Sequence, residues 1–254
     1  MIISLYSTKG GVGKSTTILS IVNAIASANR GSESPESVCV IDADHKQGSL
    51  AGFFDERRKR GLPDHSIECR VIEPSDDTPE LLYELGEKYD HVIIDLPGQH
   101  ANYVVLSALQ ADLVLMPAAM TLVEVNPVRL AMKNMMQIIR EHSLPTKVGF
   151  VVSRGARIYQ FEGRTAKGIL RSVQRARFPI LKTPLSNQGT AMTDAWATGH
   201  YHFELIELDP KAKSSVNAHE DAVMFWDDCK TYNIVEMPAE DDEESEVTDA
   251  TAGA

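Results

Sequence analysis

The stretch Ile2-Ile3-Ser4-Leu5-Tyr6-Ser7-Thr8-Lys9-Gly10-Gly11-Val12-Gly13-Lys14-Ser15-Thr16 decides the fold. Its first part, Ile2 to Ser7, reads as a buried strand. From Ser15 to Ala28, Ile18, Ile21, Val22 and Ile25 recur at three- and four-residue steps, which predicts a helix with one apolar face. Between strand and helix, Gly10, Gly11 and Gly13 let successive backbone N–H groups converge on phosphate oxygens, and the helix start adds partial positive charge. In a GxxxxGK[ST] arrangement Lys14 bridges the β- and γ-phosphates and the Ser15 hydroxyl ligates Mg²⁺. Thr8 stands where the first glycine of that pattern falls.

Outward from this unit, apolar runs of strand length alternate with segments of helical period. Val38 to Ile41, HVIID at His91 to Asp95, DLVLM at Asp112 to Met116 and KVGFVV at Lys147 to Val152 read as strands. Asn126 to His142, with Val128, Leu130, Ala131, Met135, Ile138 and Ile139, reads as a helix with a broad apolar face. The expected class is α/β: a P-loop NTPase with a mainly parallel twisted sheet and helices on both faces.

The chain has 254 residues, 43% of them hydrophobic, enough for one core. Residues 1–235 are expected to form one ATPase domain. The segment 236–254 carries eight acids and no base; it is too polar to offset its ordering entropy and is expected to be disordered. Cys39, Cys69 and Cys229 lie far apart without a paired-cysteine motif, so neither a disulfide framework nor a zinc or iron–sulfur centre is expected. No apolar run approaches the ~20 residues of a membrane span, and no basic leader with a cleavage site opens the sequence, so a cytoplasmic location is expected.

Ligands of parallel α/β sheets bind beyond the C-terminal ends of the strands. Acids fall at such ends. Asp95 closes HVIID and is followed by Leu96-Pro97-Gly98, while Asp42 and Asp44 close VCVI.

The string Lys9 to Thr16, KGGVGKST, resembles the deviant Walker A motif of the ParA/MinD ATPases, in which Lys9 is the additional lysine, and DLPG at Asp95 resembles their Walker B segment. The family's second strand ends in DxDPQGS. This chain has Asp42-Ala43-Asp44-His45-Lys46-Gln47-Gly48-Ser49, without the proline and with one residue inserted before Gln47. A weaker likeness runs through Thr183-Pro184 and Leu208-Asp209-Pro210 to about Lys230. The resemblance implies ATP and Mg²⁺ as cofactors, nucleotide contacts from Lys9, Gly10, Gly11, Val12, Gly13, Lys14, Ser15 and Thr16, and Pro184 beside the adenine. It implies a metal set of Ser15, Asp42 and Asp95, with Asp95 acting through water. Lys9, Lys14 and Asp44 become the catalytic set, Asp44 positioning the attacking water; the alternative that Asp44 is a turn residue capping the helix from Ser49 stays open. Lys9 is implied to reach across a two-fold axis to the partner's nucleotide, giving an ATP-dependent homodimer.

Charge is segregated along the chain. The net charge is -11, but without the tail it is -3, and from Lys147 to Lys182 nine bases face the single acid Glu162. Arg164, Lys167, Arg171 and Arg175 recur at helical steps beside Ile169, Leu170 and Val173, so one helix could present a cationic stripe to phosphate backbones. Arg157, Arg164, Lys167, Arg171, Arg175 and Arg177 are therefore candidate contacts to nonspecific double-stranded DNA, with the alternative of a solvated face, and the acidic tail is a candidate competitor for that surface. Eight residues precede Lys9, so no helix-turn-helix is expected ahead of the loop. Glu220, Asp221, Asp227 and Asp228 in the last helical segment disfavour the basic membrane anchor of MinD-like relatives. The expected function is a small ParA-type ATPase, nucleoid-associated, that positions a plasmid, chromosome or protein cargo by slow hydrolysis stimulated by a ParB-like adaptor. Two alternatives remain: a metabolic P-loop enzyme that activates a small molecule with ATP, and a weakly hydrolysing, nucleotide-gated scaffold.

Overall fold

Alternation along the strands sorts their side chains into two apolar layers, and that sorting builds the domain. The computed structural model describes residues 1–44, 47–98, 101–153, 168, 171, 173, 174, 176–186 and 189–235. In chain order the elements are β1 (Ile2–Leu5), α1 (Lys14–Asn29), β2 (Val38–Asp42), α2 (Ser49–Lys59), β3 (Ile67–Val71), α3 (Thr78–Gly86), β4 (His91–Asp95), α4 (Asn102–Leu109), β5 (Leu113–Ala118), α5 (Leu122–Glu141), β6 (Lys147–Val152), α6 (Gly189–Thr198), α7 (His202–Leu208) and α8 (Lys213–Thr231). The six strands form one sheet in the order β3-β2-β4-β1-β5-β6. Every pairing is parallel.

Val38 and Val40 face one side of the sheet with Ile3, Leu5, Ile93 and Val151, where α1, α2, α7 and α8 cover them. Cys39 and Ile41 face the other side with Val92, Ile94, Val114 and Phe150, beneath α3, α4 and α5. The α/β expectation is met. So is the buried face of α1: Ile18, Ile21, Val22 and Ile25 are all buried.

Two details differ from the sequence-based expectation. Helix α5 begins at Leu122, four residues before Asn126, and contains Pro127. Its inward row is Val125, Val128, Met132 and Met135, which puts Leu130, two residues from Val128, on the far side with 62% of its surface exposed. Strand β3 was not expected. As an edge strand it buries Ile67 but leaves Glu68 and Arg70 at the surface, where Arg70 Nε donates to Glu68 at 2.5 Å.

Helix α8 lies in the core: Ala222, Phe225, Trp226 and Cys229 join the α1 layer. Its Asp228 is buried and accepts the N–H of Thr183 at 2.7 Å and the amide of Asn233 at 2.8 Å. Among the described residues no helix is long and apolar enough to cross a membrane.

Helix α2 is fastened to α7 by a buried ion pair. Arg57 donates to both Glu204 oxygens, at 2.7 and 3.1 Å, and to the carbonyl of Gly199 at 2.7 Å. Its guanidinium stacks 3.9 Å from the Tyr201 ring centroid. One residue on, His202 is fully buried, its backbone N–H bonded to Asn23 Oδ1 at 2.9 Å while neither ring nitrogen has a hydrogen-bond partner.

Burial, with a smaller push from His219, lowers the His202 imidazole from 6.5 to about 4. The unfolded chain therefore takes up this proton first as pH falls. The neutral ring's contribution is complete above the unfolded value and is lost between about 6.5 and 4, a difference of about 3 kcal/mol by linkage. Urea unfolding at pH 7.5 and 4.5 should show a smaller acid-induced loss in His202→Leu than in the wild type.

Candidate nucleotide site

Strand β1 lies between β4 and β5, with β2 beyond β4, so the segment leaving β1 emerges where the connections diverge to opposite edges of the sheet. Such a switch point leaves a crevice above the strand ends. Gly11 and Gly13 adopt left-handed backbone, with φ of 73° and 102°. A Cβ at Gly13 would also lie 3.3 Å from that of Ser153. Gly13 is the N-cap of α1, and no side chain caps that end. The first amides of α1 are thus left to the loop cavity, the arrangement that binds an anion.

Three contacts set the loop's shape. Ser7 Oγ donates to the Lys9 carbonyl at 3.1 Å. Ser153, at the end of β6, donates its hydroxyl to the Val12 carbonyl at 2.8 Å. Gly98 passes so close that a Cβ there would lie 3.2 Å from the Lys9 carbonyl carbon. Neither Ser153 nor the tight approach at Gly98 was picked out from sequence; the available signal was a hydroxyl residue directly after the apolar run KVGFVV and a glycine two residues after Leu96.

Asp95 lies beneath the loop, 2% exposed. Ser15 Oγ donates to Asp95 Oδ2 at 2.5 Å, and Lys14 Nζ stands 4.0 Å from Oδ1, which is buried and has no hydrogen-bond partner. Burial raises the Asp95 carboxyl to about 6, against the lowering effects of Lys14 and Ser15; the charges of Asp42 and Asp44 push it further up. Asp42 is the register partner of Asp95 on the adjacent strand. One Asp42 oxygen accepts the Ala51 N–H at 3.0 Å, so it braces the start of α2 while adding negative charge.

Hard oxygen donors on Ser15 and Asp95, with one buried carboxylate oxygen free of protein donors, fit Mg²⁺. Among the described residues no group of three or more His, Cys, Asp or Glu side chains could hold a metal by itself. That suits a cation whose remaining ligands are phosphate and water oxygens.

Asp44 is half-buried, and its carbonyl accepts the N–H groups of Gln47 at 2.9 Å and Gly48 at 3.0 Å. Gly48 is the N-cap of α2, and no side chain caps this helix, so the Asp44 carboxylate does not. The turn also faces the phosphate loop, since a Cβ at Gly10 would meet Gln47 Nε2 at 3.8 Å. His45 and Lys46 lie outside the described residues. Lys9 is exposed at the loop, in contrast to Lys14, which is 6% exposed.

Behind α1's first turn is a cavity of about 140 Å³ lined by Thr16, Ser20, Leu185, Ser186, Met192 and Asp221, among others. Pro184 is buried directly before two of these residues. Ser186 donates to Asp221, a residue that sequence reading treated only as a surface acid. Of the six candidate DNA-contact residues, Arg171 and Arg177 are described, and both are exposed. Arg171 has helical backbone, with Val173 buried beside it as the periodicity implied. Arg157, Arg164, Lys167 and Arg175 lie outside the described residues.

A parallel sheet with a glycine-rich phosphate loop, a paired lysine and hydroxyl, and acids at neighbouring strand ends defines a P-loop ATPase of the ParA/MinD class. The family model described as ATPase MipZ matches residues 1–128, half of the chain. The chain belongs to that ATPase family.

Solved structures agree on the fold. The MinD cell division protein of Aquifex aeolicus is 17% identical with a TM-score of 0.64, over 94% of this chain and 99% of its own. The septum site-determining protein MinD of Pyrococcus horikoshii, complexed with Mg-ADP, is 14% identical with a TM-score of 0.62, over 91% and 96%. A plasmid partition protein of Borrelia burgdorferi bound to AMPPNP, itself described as putative, is 19% identical with a TM-score of 0.56, over 87% and 97%. No curated protein sequence matches the chain.

If Asp95 holds the cation, its protonation competes for the same oxygens, and the raised carboxyl then sets where Mg²⁺ binding fades. Mg²⁺-dependent strengthening of nucleotide binding, followed with a fluorescent ADP analogue, should decline below pH 6 by up to about tenfold per unit. Asp95→Asn should remove most of the Mg²⁺ effect and flatten the profile.

Proposed function

We propose that this chain is a ParA-type positioning ATPase whose ATP-bound form is a two-fold dimer on nonspecific double-stranded DNA. The observation that carries the reading is the contrast between its two loop lysines. Lys14 is buried beside Asp95 and serves the chain's own nucleotide, whereas Lys9 stands exposed at the same loop. A second cation gains little from competing for oxygens already neutralised, but gains much when a partner's nucleotide and surface exclude water around it. Lys9 therefore reaches the partner's phosphates, and ATP becomes part of an isologous interface.

In this reading Lys9 to Thr16 hold the phosphates, and Ser15, Asp42 and Asp95 hold Mg²⁺. Asp44 positions the attacking water, and Pro184 with its neighbours encloses the adenine. Bound there, Mg²⁺ would neutralise charge on the nucleotide's phosphates. Loss of the γ-phosphate removes the Lys9 contact and opens the dimer, so hydrolysis acts as a timer. A ParB-like adaptor on the cargo advances that timer, and the cargo is a plasmid, chromosome or protein assembly. Exposed Arg171 and Arg177, with the neighbouring bases at 157, 164, 167 and 175, supply the DNA contacts. The protein works on the nucleoid.

Light scattering of Asp44→Ala with ATP should give a dimer, and Lys9→Ala added to that background should return it to monomer with ATP still bound. Random-sequence duplex DNA should bind with ATP but not with ADP. Arg171→Glu should weaken that binding several-fold and make its salt slope shallower by about one phosphate contact. Rapid turnover that depends on a small-molecule substrate, with no DNA binding, would instead make this a metabolic enzyme.

A further inference from the structure

A second concave surface lies away from the phosphate loop. A groove of about 690 Å³ runs between α5 and the turn at 176–178, lined by Arg129, Lys133, Arg140 and Arg177 over apolar Leu130 and Phe178. No acid lines it. Arg129, Lys133 and Arg140 fall on one face of α5 at steps of four and seven residues. None of these three forms an ion pair among the described residues, and the Arg129 Nε is buried without a hydrogen-bond partner. A donor desolvated in this way is costly unless an acceptor reaches it.

The end of the described chain is led to this groove. The Asn233 carbonyl accepts the Lys182 N–H at 3.1 Å, Ile234 bridges Leu181 in antiparallel sense, and the Val235 N–H donates to the Ile180 carbonyl at 2.8 Å. Because the pairing is antiparallel, each step from Asn233 to Val235 retreats from Lys182 toward Ile180. The chain direction at Val235 therefore points toward Phe178 and Arg177. Val235 packs on the same apolar cluster as Ala176 and Met136, which also line the groove. Directly after Val235 in the sequence comes the segment 236–254, with its eight acids and no base.

We propose that the acidic C-terminal segment 236–254 docks reversibly in the Arg129–Lys133–Arg140–Arg177 groove of its own chain and acts as an intramolecular polyanion that competing anions must displace. A flexible chain of this segment's nineteen residues has a root-mean-square reach of about 25 Å. Ile180 is three residues from Arg177, about 10 Å at full extension. The tethered acids thus face the groove at an effective concentration on the order of millimolar, so weak multipoint contacts suffice for occupancy. The attraction is between exposed charges and must fade as the screening length falls from about 10 Å at 0.1 M salt to about 3 Å at 1 M.

The test uses the full-length ¹⁵N-labelled chain without nucleotide or DNA, so its outcome is independent of the function proposed above. It is compared with a full-length variant carrying Glu240→Gln, Asp241→Asn, Asp242→Asn, Glu243→Gln, Glu244→Gln and Glu246→Gln. At low salt the Arg129 Nε–H signal and the amides of 126–140 and 176–178 should shift between the two proteins, and the differences should vanish at about 1 M NaCl. Lys133→Gln with Arg140→Gln, both at exposed positions, should reduce the low-salt differences while leaving signals of the sheet in place. Superimposable groove signals at low salt would overturn the proposal, as would differences confined to any other part of the molecule.

Discussion

The Asp95 carboxylate is held out of water between the Ser15 hydroxyl and the Lys14 ammonium, and much of the molecule is arranged around the charge it carries. Asp42 sits opposite it in the sheet register and Asp44 two residues further on, so three acids share one small region with a single buried lysine. Burial is the main reason the Asp95 carboxyl moves up to about 6, and the like charges of Asp42 and Asp44 add to it. A divalent cation reverses that logic by making the ionised form the favoured one. The close packing of Gly98 on Lys9 and of Ser153 on Val12 keeps the loop backbone directly over this charge. Strand β6, at the opposite edge of the sheet from β3, thereby contributes to the same site.

The same constraint separates the two lysines. At 4 Å, unit charges interact by about 1 kcal/mol in bulk water and about 4 kcal/mol near a protein surface with an effective dielectric constant of 20. Lys14 already occupies the buried position. Lys9 would contribute comparably only once something covers it, so in the proposed dimer its contribution is conditional on association and not merely on nucleotide binding. A loop with both lysines can thus bind nucleotide in one step and register a partner in another.

How much of this could be read in the sequence depended on burial. Strands β4 and β6 have the expected limits because all or nearly all of their side chains are buried and the apolar run ends where burial does. The phosphate loop was legible for a different reason: glycine, lysine and hydroxyl positions are fixed by the ligand and owe nothing to packing. Strand β3 escaped because an edge strand with Glu68 and Arg70 outward has no apolar run to find. Leu130 was assigned inward because composition cannot distinguish a helix's wet apolar residue from a dry one; only the register of Val125, Val128, Met132 and Met135 does so. Asp221 and Asp228 looked like solvent charges, yet both are buried hydrogen-bond acceptors for other segments. The α5 groove was hidden for a related reason, since its bases are spread over residues 129 to 177 and become a cluster only when the turn after Val173 packs against the helix.

Charge segregation gives these features a common physical consequence. The chain carries a net charge of -11, with eight acids in a segment that starts beside its cationic groove. An intramolecular competitor present at about 1 mM weakens a rival by roughly tenfold if the tail's own dissociation constant is about 0.1 mM. That factor is the same for every rival, but it matters unequally. A single phosphate or a short acidic peptide falls below useful affinity, whereas a long polyanion replaces many contacts at once and still displaces the tail. The release of counterions adds to the advantage of the longer ligand, because each further phosphate neutralised makes binding more favourable at low salt. A tethered acidic segment of fixed length thereby raises the affinity any anion needs to occupy the groove, a threshold that extended anions reach by their number of contacts and not by any residue that reads their chemistry.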